Sequence, residues 1–261
     1  MIANALTVDD RGSGRSFLLL HGGAGPSSVL PFARLLATSR PAHVITPTIP
    51  GFDGTPRPAG LDSIADLART WLDMLEERDL HDVTVLGSSI GGWTAAEMLT
   101  DPRAPERISS AVLLDAVGIL VPGHPIRNVA GMPLEQLADL SYAEPDRYRI
   151  DPAALPADRR AQLARNAATL AHYASEPYMH DPTLKDRLAA VTLPVSILWG
   201  EADGVVTPDY GRAYASALGR GEFTLIRGAG HLPQVEQPDV TRDLVWEWAN
   251  RHANTRNAEL R

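Results

Sequence analysis

Three residues in this 261-residue chain have the types and the chain order that nucleophilic acyl chemistry requires: Ser89, Asp203 and His231. Ser89 is the centre of Gly87-Ser88-Ser89-Ile90-Gly91, a G-x-S-x-G pattern with an apolar run at 83–86 before it and small, helix-forming residues from Thr94 after it. A serine hydroxyl is a weak nucleophile at neutral pH and needs a base within hydrogen-bond reach. His231, in Gly228-Ala229-Gly230-His231-Leu232-Pro233-Gln234, is the candidate base. Asp203, in Gly200-Glu201-Ala202-Asp203-Gly204, is an acid that could take the Nδ1 hydrogen of that ring and so fix its tautomer. Each signal has a plain alternative: a glycine-rich turn without chemistry, an Asx-turn residue, a surface histidine. What favours the catalytic reading is that all three follow apolar runs, in the order Ser…Asp…His.

Strands must deliver these residues to one edge. Apolar runs at 17–20, 83–86, 108–114, 195–200 and 222–226, with a further strand opening at Val44 and Ile45, read as buried strands. Helical patterns fall between them at 29–38, 63–78, from Thr94, at 209–218 and at 240–251. The second has Ile64, Leu67, Ala68, Trp71, Leu72 and Leu75 on one stripe. This alternation predicts an α/β fold, a mostly parallel sheet with helices on both faces. From Val117 to Ala190 the strand rhythm stops, and helical stretches near 134–140 and 157–175 take over. That region is too long for a loop and reads as a helical cap inserted after a central strand, over the carboxyl edge where such sheets bind ligands. The expected layout is therefore a core at 1–116, a cap at 117–190 and the remainder of the core at 191–261. The polar tail from Ala253 is expected to fray.

Composition narrows the partners. The formal charge of −8 disfavours nucleic acid and anionic membrane surfaces. With no cysteine there are no disulfides, thiolate nucleophiles or thiolate metal sites. The first residues show no basic segment followed by a long apolar one, so neither a signal peptide nor a membrane span is expected, and a cytoplasmic location is. The histidines show no H-E-x-x-H pattern, and His172 and His180 are too far apart for one helix turn. The expectation is a monomer or homodimer acting on a small-molecule substrate without metal or cofactor.

On these motifs the chain resembles the α/β-hydrolases over nearly its whole length, in particular their cap-bearing branch. The matching positions are His21-Gly22 before a glycine-rich loop, Pro50-Gly51-Phe52-Asp53-Gly54, the Ser89 elbow, Gly200-Glu201-Ala202-Asp203 and Gly230-His231. The resemblance implies Ser89 as nucleophile, His231 as base, Asp203 as its orienting acid, and the backbone N–H groups of Ile90 and Gly23 as the oxyanion hole. Each such donor is worth roughly 3 kcal/mol of barrier. Serine at the elbow sets aside the relatives that use aspartate there, the haloalkane dehalogenases and epoxide hydrolases. The first expectation is a hydrolase of small or medium carboxylic esters. Hydrolases of C–C bonds in ring-cleavage products are an alternative from which the chain departs at Ser88 and Leu232. Perhydrolases and cofactor-free haloperoxidases remain open, as does a small-molecule receptor on the same fold, whereas proline-iminopeptidase-like peptidases share the glycine-rich loop but differ from this chain at the elbow. Asp115 also ends a strand, where some α/β-hydrolases keep their acid. His21 is read as a brace for its loop. Trp93, Tyr142 and Tyr173 are candidate substrate contacts, with packing as the alternative.

Overall fold

The apolar runs become strands and lie side by side. The computed structural model describes residues 6–174 and 176–253. Its strands are β1 (Val8–Gly12), β2 (Arg15–Leu20), β3 (Ala42–Pro47), β4 (Val83–Ser88), β5 (Ile108–Leu114), β6 (Val195–Gly200) and β7 (Gly221–Ile226). They form one sheet in the order β1-β3-β2-β4-β5-β6-β7, parallel except where β1 meets β3. Every residue of β4, β5 and β6 is buried, which explains why these runs are apolar without alternation. Alternate positions of β2 enter different cores: Leu18 and Leu20 pack with Trp71 and Val85, whereas Phe17 and Leu19 pack with Phe32, Leu86 and Trp248.

The helices start and stop near the expected positions. Helix Ile64–Glu77 opens with a capping box, in which Ser63 Oγ accepts from the Asp66 amide and the Asp66 carboxylate accepts from the Ser63 amide. Helices Leu30–Ser39 and Pro238–Arg251 cover the opposite face. Strand β1 was not foreseen. Its Val-Asp-Asp-Arg-Gly sequence has neither apolar alternation nor a buried run, because it is an edge strand held by pairing with β3. Beyond Ala253 the polar tail expected to fray lies outside the described residues, as does Ser175 at the end of the predicted 157–175 helix.

Between β5 and β6 the described chain is helical, with helices Leu134–Ser141, Pro145–Tyr148, Ala157–Tyr173 and Leu184–Leu188. The longest of these docks on the turn after β3. Asn166 accepts from the Asp53 amide and donates to the Asp53 carboxylate, both at 2.8 Å. Thr169 Oγ1 donates to Gly51 O at 3.0 Å, and Tyr173 OH to Pro50 O at 3.1 Å. The segment returns to the sheet through Arg187, whose guanidinium bridges Glu97 and Asp181. No helix among the described residues is long and apolar enough to cross a membrane.

Candidate active site

The carboxyl ends of β4 to β7 are locked together stepwise. The amide of Ser89 donates to Leu114 O at the end of β5, that of Asp115 to Leu198 O in β6, and that of Glu201 to Ile226 O at the end of β7. The residues just past each strand therefore share one rim. Ser89 sits there with φ 55 and ψ −117, a backbone region that a residue with a Cβ rarely adopts. Two glycines make the turn possible. A Cβ on Gly87 would lie 2.2 Å from Gly91 O, and one on Gly91 would lie 2.3 Å from Leu20 O. The chain then enters helix Ile90–Thr100, with the Trp93 amide donating to Ser89 O at 3.1 Å.

Asp203 and His231 meet. His231 Nδ1 lies 2.8 Å from Asp203 Oδ2, and both residues are buried. Carboxylate oxygens only accept, so Nδ1 carries the hydrogen and Nε2 is left with a free lone pair. The other Asp203 oxygen, Oδ1, accepts the amides of Val205 at 2.8 Å and Val206 at 3.1 Å. The approach depends on Gly200, where a Cβ would come within 1.8 Å of Gly230 O. Gln234 ties the histidine turn to the elbow through Nε2, which donates to Ser88 Oγ at 3.2 Å.

The helical segment supports the same turn, which the sequence did not indicate. The His231 amide donates to Ser141 O at 2.7 Å, and the Gly204 amide to Leu140 O at 2.9 Å. Glu236 joins the two sides, its Oε2 accepting from the Gly230 amide at 2.5 Å and its Oε1 from the Ala143 amide at 2.9 Å. Ser141 and Glu236 escape sequence reasoning because one acts through its backbone carbonyl and the other looks like a common helix acid.

The loop after β2 closes over the elbow. A Cβ on Gly22 would lie 3.0 Å from Ser89 Cβ, and one on Gly23 would meet the side chain of Leu170, from helix Ala157–Tyr173, at 2.6 Å. Among the described residues, neither the Gly23 amide nor the Ile90 amide at the helix start has a hydrogen-bond partner. His21 holds this loop. Its Nε2 accepts the Ile49 amide at 2.9 Å, so Nδ1 must carry the hydrogen that points at Gly22 O, 2.8 Å away. Burial pushes its pKa down to about 4, keeping the ring neutral.

The three aromatic candidates have other contacts. Trp93 is buried against Gly118, and its indole N–H reaches Glu97 at 3.4 Å. Tyr173 is buried and bonded to Pro50 O. Tyr142 stacks on Tyr148 with ring centroids 4.7 Å apart, next to Gly230.

Asp115 is fully buried beside the pair. Its Oδ1 accepts the Gly200 amide at 2.8 Å, while its Oδ2 has no partner. One ligand atom each of Asp115, Asp203 and His231 falls within 4.8 Å of the others, a spacing that could also hold a cation. The hydrogen on His231 Nδ1, engaged with Asp203, leaves that nitrogen unable to ligate.

The chain is similar to proteins already described. A model described as "Alpha/beta hydrolase family" matches residues 17–244. A Mycobacterium tuberculosis protein provisionally named non-heme bromoperoxidase BpoC is 32% identical over 262 residues, covering 92% of this chain and 95% of that one. Lipase 1 of Psychrobacter immobilis is 25% identical over 245 residues, 88% of this chain and 75% of its own. A thermophilic esterase from Thermogutta terrifontis superposes with a TM-score of 0.76 at 23% identity, covering 95% of this chain and 94% of the esterase.

Proposed function

The chain belongs to the alpha/beta hydrolase family and is a hydrolase, and we propose that it cleaves carboxylic esters of small or medium size through an acyl-enzyme on Ser89. The observation that carries this reading is the 2.8 Å bond from His231 Nδ1 to Asp203 Oδ2, made on the rim that also bears the strained Ser89 turn. It leaves Nε2 of His231 as the one ring nitrogen able to take a proton. Ser89 Oγ attacks the ester carbonyl while that nitrogen accepts its hydrogen. The negative oxygen of the tetrahedral intermediate is received by the Ile90 and Gly23 amides, the first of them at the positive end of helix Ile90–Thr100. His231 returns the proton to the departing alcohol, and water then repeats the sequence on the acyl group. Asp203 keeps the ring aligned and stabilises its cationic form.

Residues 117–190 act in this proposal as a cap over the core formed by 1–116 and 191–261. Leu170 above Gly23 limits the room at the oxyanion loop, which favours compact acyl groups. The lipase and esterase relatives support ester chemistry. BpoC supports a second reading, in which hydrogen peroxide replaces water in the second step and releases a peracid. Rates on p-nitrophenyl acetate, on longer p-nitrophenyl esters and on a vinylogous 1,5-diketone, each with and without hydrogen peroxide, test the proposal. Fastest turnover on the acetate without peroxide is the expected result. Turnover of the diketone alone would replace ester hydrolysis with C–C cleavage, and peracid release outpacing hydrolysis would favour the second reading.

A further inference from the structure

The proposed chemistry uses one carboxylate, yet two are buried beside His231. The second belongs to Asp115, held at φ 45 just past β5. One of its oxygens is committed to the Gly200 amide at 2.8 Å, and the other is sealed from solvent with no donor reaching it. The acid beside it is Asp203, one of whose carboxyl oxygens lies within 4.8 Å of the Asp115 carboxyl. Two ionised carboxylates placed side by side without water repel strongly, and both cannot keep their charge.

We propose that Asp115 is held protonated and donates its hydrogen to Asp203, which makes it a positioning residue for the acid that orients His231. The mechanistic consequence rests on the ester-hydrolase reading; the location of the proton does not. The donor count decides which acid keeps the charge. Asp203 receives three N–H groups, from Val205, Val206 and His231, whereas Asp115 receives one, from Gly200. Hydrogen bonds to the charged form favour it, so the negative charge settles on Asp203 and the proton on Asp115. The titratable groups facing Asp115 are Asp203 on the β6 loop, Glu236 on the short helix Pro233–Glu236, and His231. Burial first, and then the charges of Asp203 and Glu236, push its carboxyl well above the usual carboxylate range. With this proton, Asp203 gains a fourth donor, which holds it more firmly against the imidazole. The inner pair also carries a single negative charge.

Infrared difference spectroscopy of the full chain against Asp115→Asn at neutral pH reads the proton without reference to any substrate. A protonated-carboxyl C=O band present in the native protein and lost in Asp115→Asn is the expected result; its absence overturns the proposal. A stoichiometric divalent cation retained by the native protein and lost in Asp115→Asn would overturn it too. Kinetics then test the positioning role. Asp115→Ala should lower kcat on p-nitrophenyl acetate about tenfold or more with KM nearly constant, and Asp115→Asn, which keeps a donor and an acceptor, should recover most of that loss. The acid limb of kcat/KM should stay within about 0.3 pH unit in Asp115→Asn, because no charge is removed. A downward shift of about one unit would mean that Asp115 was ionised and that the proposal is wrong. If Asp115→Ala fails to fold, the infrared band and the Asp115→Asn pH limb still decide. If the native protein hydrolyses no ester, the band alone decides, and the proton assignment stands or falls apart from the proposed function.

Discussion

Ser89 is held at φ 55 and ψ −117, which glycine adopts freely and serine does not. Strain of this kind costs on the order of 1–3 kcal/mol and tends to persist where function keeps it. Ser89→Gly should therefore raise the denaturant midpoint, by about 1 kcal/mol in stability, while abolishing turnover. Ser89→Ala keeps the strain and should lose roughly a millionfold in kcat. A gain in stability from the alanine variant as large as that from glycine would contradict the strain argument.

His21 makes a pH prediction of definite sign. Its pKa is about 4 in the folded chain, against 6.5 for an unperturbed histidine, so between those values the unfolded chain binds the extra proton. The stabilisation it provides is complete above pH 6.5 and disappears as pH falls towards 4, a change of about 3 kcal/mol. Asp115 has the opposite slope, since its raised pKa means that the folded chain holds the extra proton. Only a difference measurement separates the two. The stability of the native protein relative to His21→Gln should fall between pH 7 and pH 4; a pH-independent difference would show that the ring is not held neutral.

Among the elements, the closest approach in the site is that of β6 to the histidine turn at Gly200 and Gly230. A Cβ at Gly200 would overlap Gly230 O, a backbone atom beside His231 that cannot yield as a side-chain tip could. Gly200→Ala should cost more than about 3 kcal/mol or separate Asp203 from His231, measurable as a lower melting temperature together with lost activity. Helix Ala157–Tyr173 gives a softer case. Asn166→Ala leaves the Asp53 amide without its partner and should cost about 1–3 kcal/mol, with faster hydrogen exchange confined to that helix and the 50–55 turn. Uniform loss of protection across the sheet would refute this local docking role.

Elements were legible where burial dictated composition. The runs at 108–114 and 195–200 could be read directly because β5 and β6 are covered on both faces. Strand β1 was hidden because an edge strand is chosen by its neighbour's free backbone groups, which leave no apolar signature. The docking of residues 117–190 was hidden for a related reason. Ser141 and Leu140 act through carbonyls, and Tyr173 uses its hydroxyl on a backbone oxygen more than a hundred positions away.

For the molecule as a whole, the sheet order makes the site. Because β4, β5, β6 and β7 are neighbours, residues as far apart as Ser89 and His231 leave the same edge, and the strand-end hydrogen bonds fix their relative height. Ser89, Asp203 and His231 stand out as candidates in the sequence since each lies in a glycine-marked turn after an apolar run. The place of Asp115 against Asp203 could not be read there, because it depends on β5 and β6 pairing in register between residues 84 positions apart, such as Leu114 and Leu198. The most direct test of the central claim is covalent. Treatment with a fluorophosphonate probe, followed by peptide mass spectrometry, should put one adduct on Ser89, and His231→Ala should suppress it at least a hundredfold by removing the base. A stoichiometric adduct on another residue, or undiminished labelling of Ser89 in the His231→Ala chain, would contradict the account.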